Sequence, residues 1–185
     1  ANGTVGFANV LNLDCAHAQS IMIDKVQDLN LHKGTHSKVK VSGLNYARIT
    51  GTYLDVDVAE VHETAEIADL RHSSVSMSKI NKRCEFRGVD YCQINVKVSK
   101  TNCEPRILVP DASFSDIVVS IPKTLKVSCL LRSNYGKTEF DVPASVQQHV
   151  VESTKDYSQT RIHTLLNTTS FASSSVIDIQ NSHGN

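Results

Sequence analysis

The sequence predicts a mostly β protein built as an antiparallel β-sandwich of one or two modules. Three observations lead there. Apolar and polar residues alternate with period two in Leu54-Asp55-Val56-Asp57-Val58 and in Ile94-Asn95-Val96-Lys97-Val98, the pattern of strands with one buried face. Turn chemistry recurs between such runs, as in Lys33-Gly34, Ser42-Gly43, Arg87-Gly88, Pro110-Asp111 and Pro122-Lys123. Helical periodicity is confined to one window, 58–71, which also fits a loop after a strand.

Taken along the chain, residues 20–26 and 38–42 give the first strand signals, followed by 54–58. Further signals lie at 74–80, 94–98, 116–121, 124–130 and 138–142. Short turns between successive strands imply antiparallel pairing, with at least about eight strands and helix well below the globular average. Residues 1–72 form an N-terminal β module or the first half of one sandwich, and residues 73–144 a second β module. From residue 145 Ser, Thr, Gln and His accumulate, which reads as a stem or tail over 145–185. No internal repeat is evident.

The chain has 185 residues, enough for a core that needs no metal or cofactor, so none is expected. Nineteen basic residues balance nineteen acidic ones without a basic cluster, which argues against nucleic acid as a partner. There is no apolar run of the roughly 20 residues that spans a bilayer, so membrane contact is expected only through a partner or a removed anchor. With no tryptophan and five each of tyrosine and phenylalanine, aromatic platforms for sugars or single strands are scarce.

Compartment is read from cysteines and sequons. The five cysteines lack CxxC spacing, and four of them, Cys84, Cys92, Cys103 and Cys129, crowd into the strand-rich middle. Bridges Cys84 to Cys92 and Cys103 to Cys129 are the expected pairing, with the crossed arrangement as the alternative. Cys15 is left as a buried thiol or an inter-chain partner. Sequons at Asn2 and Asn167 add to the expectation of an exported, surface-exposed glycoprotein.

Catalytic signatures do not assemble. No serine sits in a nucleophile elbow, His32 and His36 flank a glycine within a turn, and His62-Glu63 reads as a solvated pair. Asp55 and Asp57 share a strand face but lack the further oxygen ligands of a calcium loop, so they read as a wet sheet face. No catalytic, cofactor-binding or metal residue is nominated, and the chain is expected not to be an enzyme.

The order Ser74-Val75-Ser76-Met77-Ser78-Lys79-Ile80, Cys84, Gly88-Val89-Asp90-Tyr91-Cys92, Cys103 and then Leu125-Lys126-Val127-Ser128-Cys129 resembles the carboxy-terminal part of bunyavirus-type Gc glycoproteins. These are class II membrane-fusion proteins. The resemblance covers residues 74–142 and implies an immunoglobulin-like third domain followed by a stem. It departs from that family in lacking dense cysteine clusters and a glycine- and aromatic-rich fusion loop. A second resemblance, through Asp14-Cys15 and Leu31-His32-Lys33-Gly34-Thr35, is to ML-type lipid-binding sandwiches, which hold lipid between two sheets.

These readings converge on a non-enzymatic module that works in assembly or attachment, binding protein, either itself as a homo-oligomer or another chain of one assembly. The tail aliphatics Ile162, Leu165, Leu166, Val176 and Ile179 are the candidate partner-binding residues. A further alternative is a subunit of a surface filament or capsid in which residues 4–13 or the tail donate a strand to a neighbour.

Overall fold

The computed structural model describes residues 2–14, 20–98, 104–134, 146–155, 159–168 and 175–183. Among them 82 % lie in strands and none in a helix, and the strands wind into a parallel β-solenoid of about 6 turns. The antiparallel immunoglobulin-like sandwich is therefore corrected. The twelve strands are β1 (Asn2–Asp14), β2 (Ser20–Val58), β3 (Val61–Arg71), β4 (Ser74–Met77), β5 (Arg83–Asp90), β6 (Gln93–Lys97), β7 (Arg106–Ser113), β8 (Asp116–Ser120), β9 (Val127–Asn134), β10 (Gln148–Lys155), β11 (Gln159–Leu166) and β12 (Val176–Ser182).

Successive circuits stack in register. One circuit takes 18 residues at the start, where Asn2 lies opposite Ser20, and 19 in the middle, where Ser74 lies opposite Gln93. It lengthens to 23 where Gln93 meets Asp116. One face of the solenoid stacks part of β2 with β3, β5, β7, β12, β9, β11 and β10, while the other stacks the end of β2 with β4, β6 and β8. The window 58–71, where a short helix or loop was the sequence expectation, is mostly β3, parallel to both β2 and β5. In place of the expected immunoglobulin-like module at 73–144 run β4 to β9, and β4 to β8 pair only with parallel neighbours.

The alternation noted in the sequence supplies the core. Val56, Val75 and Ile94 stack inward on one face, Val58, Met77 and Val96 beside them, and all six are 2 % exposed or less. From the other face Ala65, Cys84 and Ile107 form one inward column, and Ile67 with Phe86 another. Contact across the core is direct: the Cys84 Sγ lies 3.4 Å from the Met77 Sδ.

The two faces meet at a corner with a fixed recipe. An aromatic residue in the left-handed conformation is followed by a small or apolar buried residue, as in His36-Ser37, Tyr53-Leu54, His72-Ser73, Tyr91-Cys92 and Phe114-Ser115. The rings stack in the order His36, Tyr53, His72, Tyr91, Phe114, His183 with centroids 4.6 to 5.1 Å apart, matching the spacing of strands in a sheet. Left-handed backbone costs roughly 1–2 kcal/mol per non-glycine residue. Stacking on two faces returns about 0.5–1.5 kcal/mol per pair, so an interior ring offsets its own corner. Serine completes the corner: Ser73 Oγ donates to Arg71 O (2.8 Å) and accepts the Leu54 N–H of the preceding circuit (3.0 Å). Ser115 does the same for Ser113 O and the Cys92 N–H.

Two substitutions at one corner separate the backbone cost from the stacking gain. Tyr91→Ala keeps the backbone cost and loses both stacks, so it is expected to destabilise by about 1–3 kcal/mol. Tyr91→Gly loses the same stacks without the backbone cost and should be the more stable of the two variants. Thermal melts that rank alanine above glycine would remove the backbone argument.

Candidate functional site: the open first circuit

The two ends of the solenoid differ. At the C-terminal end β11 and β10 turn antiparallel and close the stack, and β10 carries a register shift between Val150 and Glu152. A bulge and charged residues on an outermost strand are devices that discourage further pairing. At the other end β1 is the outermost strand and, among the described residues, pairs only with β2.

The contrast between β1 and the strand beneath it is quantitative. Val5, Ala8, Leu11 and Leu13 pair with, or lie in register above, Ile23, Val26, Leu29 and Leu31. The β2 residues are 1 %, 3 %, 1 % and 1 % exposed, whereas their β1 counterparts are only half-buried. From Asn2 to Leu13 there is no charged residue and no proline, so the usual guards of an edge strand are missing. Phe7 and Val10 on the same strand are 65 % and 56 % exposed. Asn30 donates its amide to the Asn12 Oδ1 (3.0 Å), which leaves the Asn12 amide group for a further circuit.

A shallow groove of about 350 Å³ crosses the adjacent face, lined by Val10, Asp28, Tyr46, Arg48, Thr64 and Glu66 among others. Its charges are partly spent on each other, since Arg48 pairs with Glu66 of the next circuit at 3.2 Å. The same holds on the second face, where Asp55 and Asp57 take Lys38 (2.8 Å) and Lys40 (3.7 Å) from the circuit before. His62 lies 3.6 Å from Glu60, and Glu63 pairs with Lys82. His32 is exposed and His36 belongs to the aromatic stack. Among the described residues no three metal-ligating side chains come together.

The disulfide expectation is corrected. Cys84, Cys92 and Cys129 are buried free thiols: Cys84 and Cys92 take a core and a corner position in the parallel stack rather than the two arms of a hairpin, and Cys129 lies on β9 between β12 and β11. Cys15 and Cys103 lie outside the described residues. Burial pushes the Cys129 thiol up to about 12 and the Cys84 thiol higher still, with a smaller push on Cys84 from the neighbouring Glu85. Thiols so placed are poor nucleophiles. Native protein treated with iodoacetamide at neutral pH should leave Cys84 and Cys129 unmodified, and denatured protein should not; fast native labelling of either would contradict their burial.

Of the two sequon residues, Asn2 is exposed at the start of β1, while Asn167 donates its side-chain amide to Lys123 O and Leu125 O, both at 2.8 Å. The Asn167 nitrogen is thus engaged in the fold, whereas the Asn2 side chain faces solvent. The candidate partner-binding residues Ile162, Leu165 and Leu166 are buried within the molecule on β11, and Val176 and Ile179 are half-buried on β12.

Sequence reasoning passed over Glu85. It is 5 % exposed between Arg83 and Arg87 on one strand, hydrogen-bonded to both. Burial alone would raise its pKa, but the two guanidinium groups more than reverse this and hold the carboxyl below its usual range. A depressed carboxylate adds stability that is present above the unfolded value of about 4.3 and is lost as pH falls through the folded one. Glu85→Gln should therefore flatten the acid limb of the stability profile; an unchanged acid limb in the variant would show that Glu85 is not the group responsible.

Compared with known proteins, the chain matches no family model, no curated protein and no solved structure.

Proposed function

We propose that this chain is a non-enzymatic structural module, a stiff β-solenoid segment that joins other protein by accepting a further strand on its first circuit. The observation that carries the reading is β1: a 13-residue edge without charged guards until Asp14, whose inward row is half-buried where the next circuit's is buried. Covering it would move four apolar side chains from half-buried to core positions and satisfy a row of backbone groups, each Å² of apolar area contributing about 25 cal/mol. Charged pairs that run between circuits, such as Lys38 with Asp55, Lys40 with Asp57 and Arg48 with Glu66, tie the faces together and suit a stiff segment.

The test uses a labelled peptide with the sequence of residues 2–14 extended by a solubilising lysine tail. Full-length protein should bind it, as read by fluorescence polarisation. The double variant Phe7→Lys with Val10→Lys, which alters two exposed positions and leaves the inward row intact, should not. Absence of binding to the wild type, or equal binding by the variant, would end this reading.

A further inference from the structure

Resting on that reading, we infer that the strand accepted by β1 is the β1 of a second copy of this chain, antiparallel and paired about a twofold axis at Ala8. The sequence of β1 is self-complementary about that residue. Val5 of one copy meets Leu11 of the other and Ala8 meets its own counterpart, so the inward rows continue each other at these three positions, while Leu13 meets the exposed Gly3. Outside, exposed Val10 meets Gly6 and exposed Phe7 meets Asn9, each bulky side chain facing a smaller one. Thr4 meets Asn12, whose amide group is not taken up by Asn30, so the amide column gains a hydroxyl acceptor across the axis.

Charge and the opposite end decide between this arrangement and a head-to-tail stack. Asp14, the only charged residue of β1, meets Asn2 in the twofold register, so no like charges oppose each other. The far end of the molecule offers a poor match to β1. Its outer strand β10 has 8 residues against 13, carries Glu152 and Lys155, and is interrupted by a register shift. A guarded end and an open, self-complementary end give a closed dimer rather than a growing filament.

Sedimentation of the full chain should show a species of twice 20.3 kDa, and Phe7→Lys with Val10→Lys should return it to one. In a background with Cys15→Ser and Cys103→Ser, Ala8→Cys should form an inter-chain disulfide under mild oxidation, because residues on the axis lie within bridging distance. Asn12→Cys alone should not, whereas a mixture of Thr4→Cys and Asn12→Cys chains should. A wild-type chain that stays monomeric at about 100 µM, roughly a hundredfold above a micromolar dissociation constant, yet binds the β1 peptide would overturn the second copy and leave strand acceptance standing. A dimer that bridges through Asn12→Cys and not Ala8→Cys, or open-ended oligomers, would equally overturn the twofold register.

Discussion

Replacing Phe86 with alanine is expected to cost about 3–5 kcal/mol, the largest loss from any single side chain among the described residues. Phe86 is the largest fully buried side chain among the described residues, and it sits on β5 directly over Ile67 of β3. In a solenoid each circuit is held by its two neighbours, so a cavity in a middle circuit weakens both interfaces and nothing else compensates. Parallel backbone ladders on β3 and β7 fix the spacing of circuits, which prevents the walls from closing on the void. Urea unfolding should show the midpoint falling sharply. The slope should fall as well if the halves on either side of β5 begin to unfold separately, since it follows the surface exposed in one transition. Phe86→Leu, which keeps most of the volume, should cost less than half as much. A loss below about 1 kcal/mol in the alanine variant would mean that neighbouring side chains refill the space, which a close-packed core held by fixed ladders does not allow.

Part of the strand set was legible in the sequence, and the pairing was not: β5 and β7 gave no strand signal, β3 read as a short helix or loop and β10 to β12 as a stem or tail, while the strand expected at 138–142 lies outside the described residues. Alternation in Leu54-Asp55-Val56-Asp57-Val58 and Ile94-Asn95-Val96-Lys97-Val98 marks an inward and an outward face correctly. Period two, however, says nothing about strand direction. The inference to antiparallel sheets rested on short turns, and in a solenoid a short turn bends the chain by less than a reversal and sends it on to the next face. Arg87-Gly88 shows the difference. Gly88 is in the left-handed conformation (φ +57), with Asp69 of the circuit below close enough to touch an added Cβ (3.1 Å), so it marks a kink stacked on a kink.

The missing signal was the circuit itself. Tyr53-Leu54-Asp55-Val56-Asp57-Val58, His72-Ser73-Ser74-Val75-Ser76-Met77 and Tyr91-Cys92-Gln93-Ile94-Asn95-Val96 share an aromatic, a buried residue and two inward apolar residues at one spacing. Identities differ at nearly every position, and the circuit shortens at His36 and lengthens at Phe114. A search for identical residues at constant period therefore fails, although an aromatic followed by a small or apolar residue at corner spacing finds it. Cysteines misled for a related reason: Cys92 takes the corner position that serine takes at Ser73 and Ser115, and Cys84 takes a core position above Ala65, so both are packing residues.

Removing Val176 to Asn185 is expected to release the whole C-terminal cap rather than trim a tail. Read from sequence, 145–185 is a Ser/Thr-rich stem or tail. In the structure its last strand is an internal strand of the stack. β12 lies between β7 and β9 and is parallel to both, pairing Val176 to Arg106 on one side and to Ser128 on the other. Among the described strands β9 has no partner on that side except β12, so β9, β11 and β10 are held to the body through it. Side chains add to the two ladders. Ile177 enters the core, Asp178 takes a two-pronged bond from Arg132 (2.8 and 3.0 Å), and Asn181 donates to Ser115 O (2.6 Å) at the buried corner. Losing both ladders uncovers Ile107 and Val109 on β7 and strips the closing strands from the stack, and a solenoid without its cap exposes an edge along its full width. In the truncated chain, protease should cut between residues 123 and 166 while the circuits from β2 to β8 stay resistant. Hydrogen exchange should show the same boundary, with protection lost in β9 and β11 and kept in β3 and β5. If residues 127–134 remained protected after the truncation, β9 would have to dock on β7 directly, and β12 would not be the strand that holds the cap to the body.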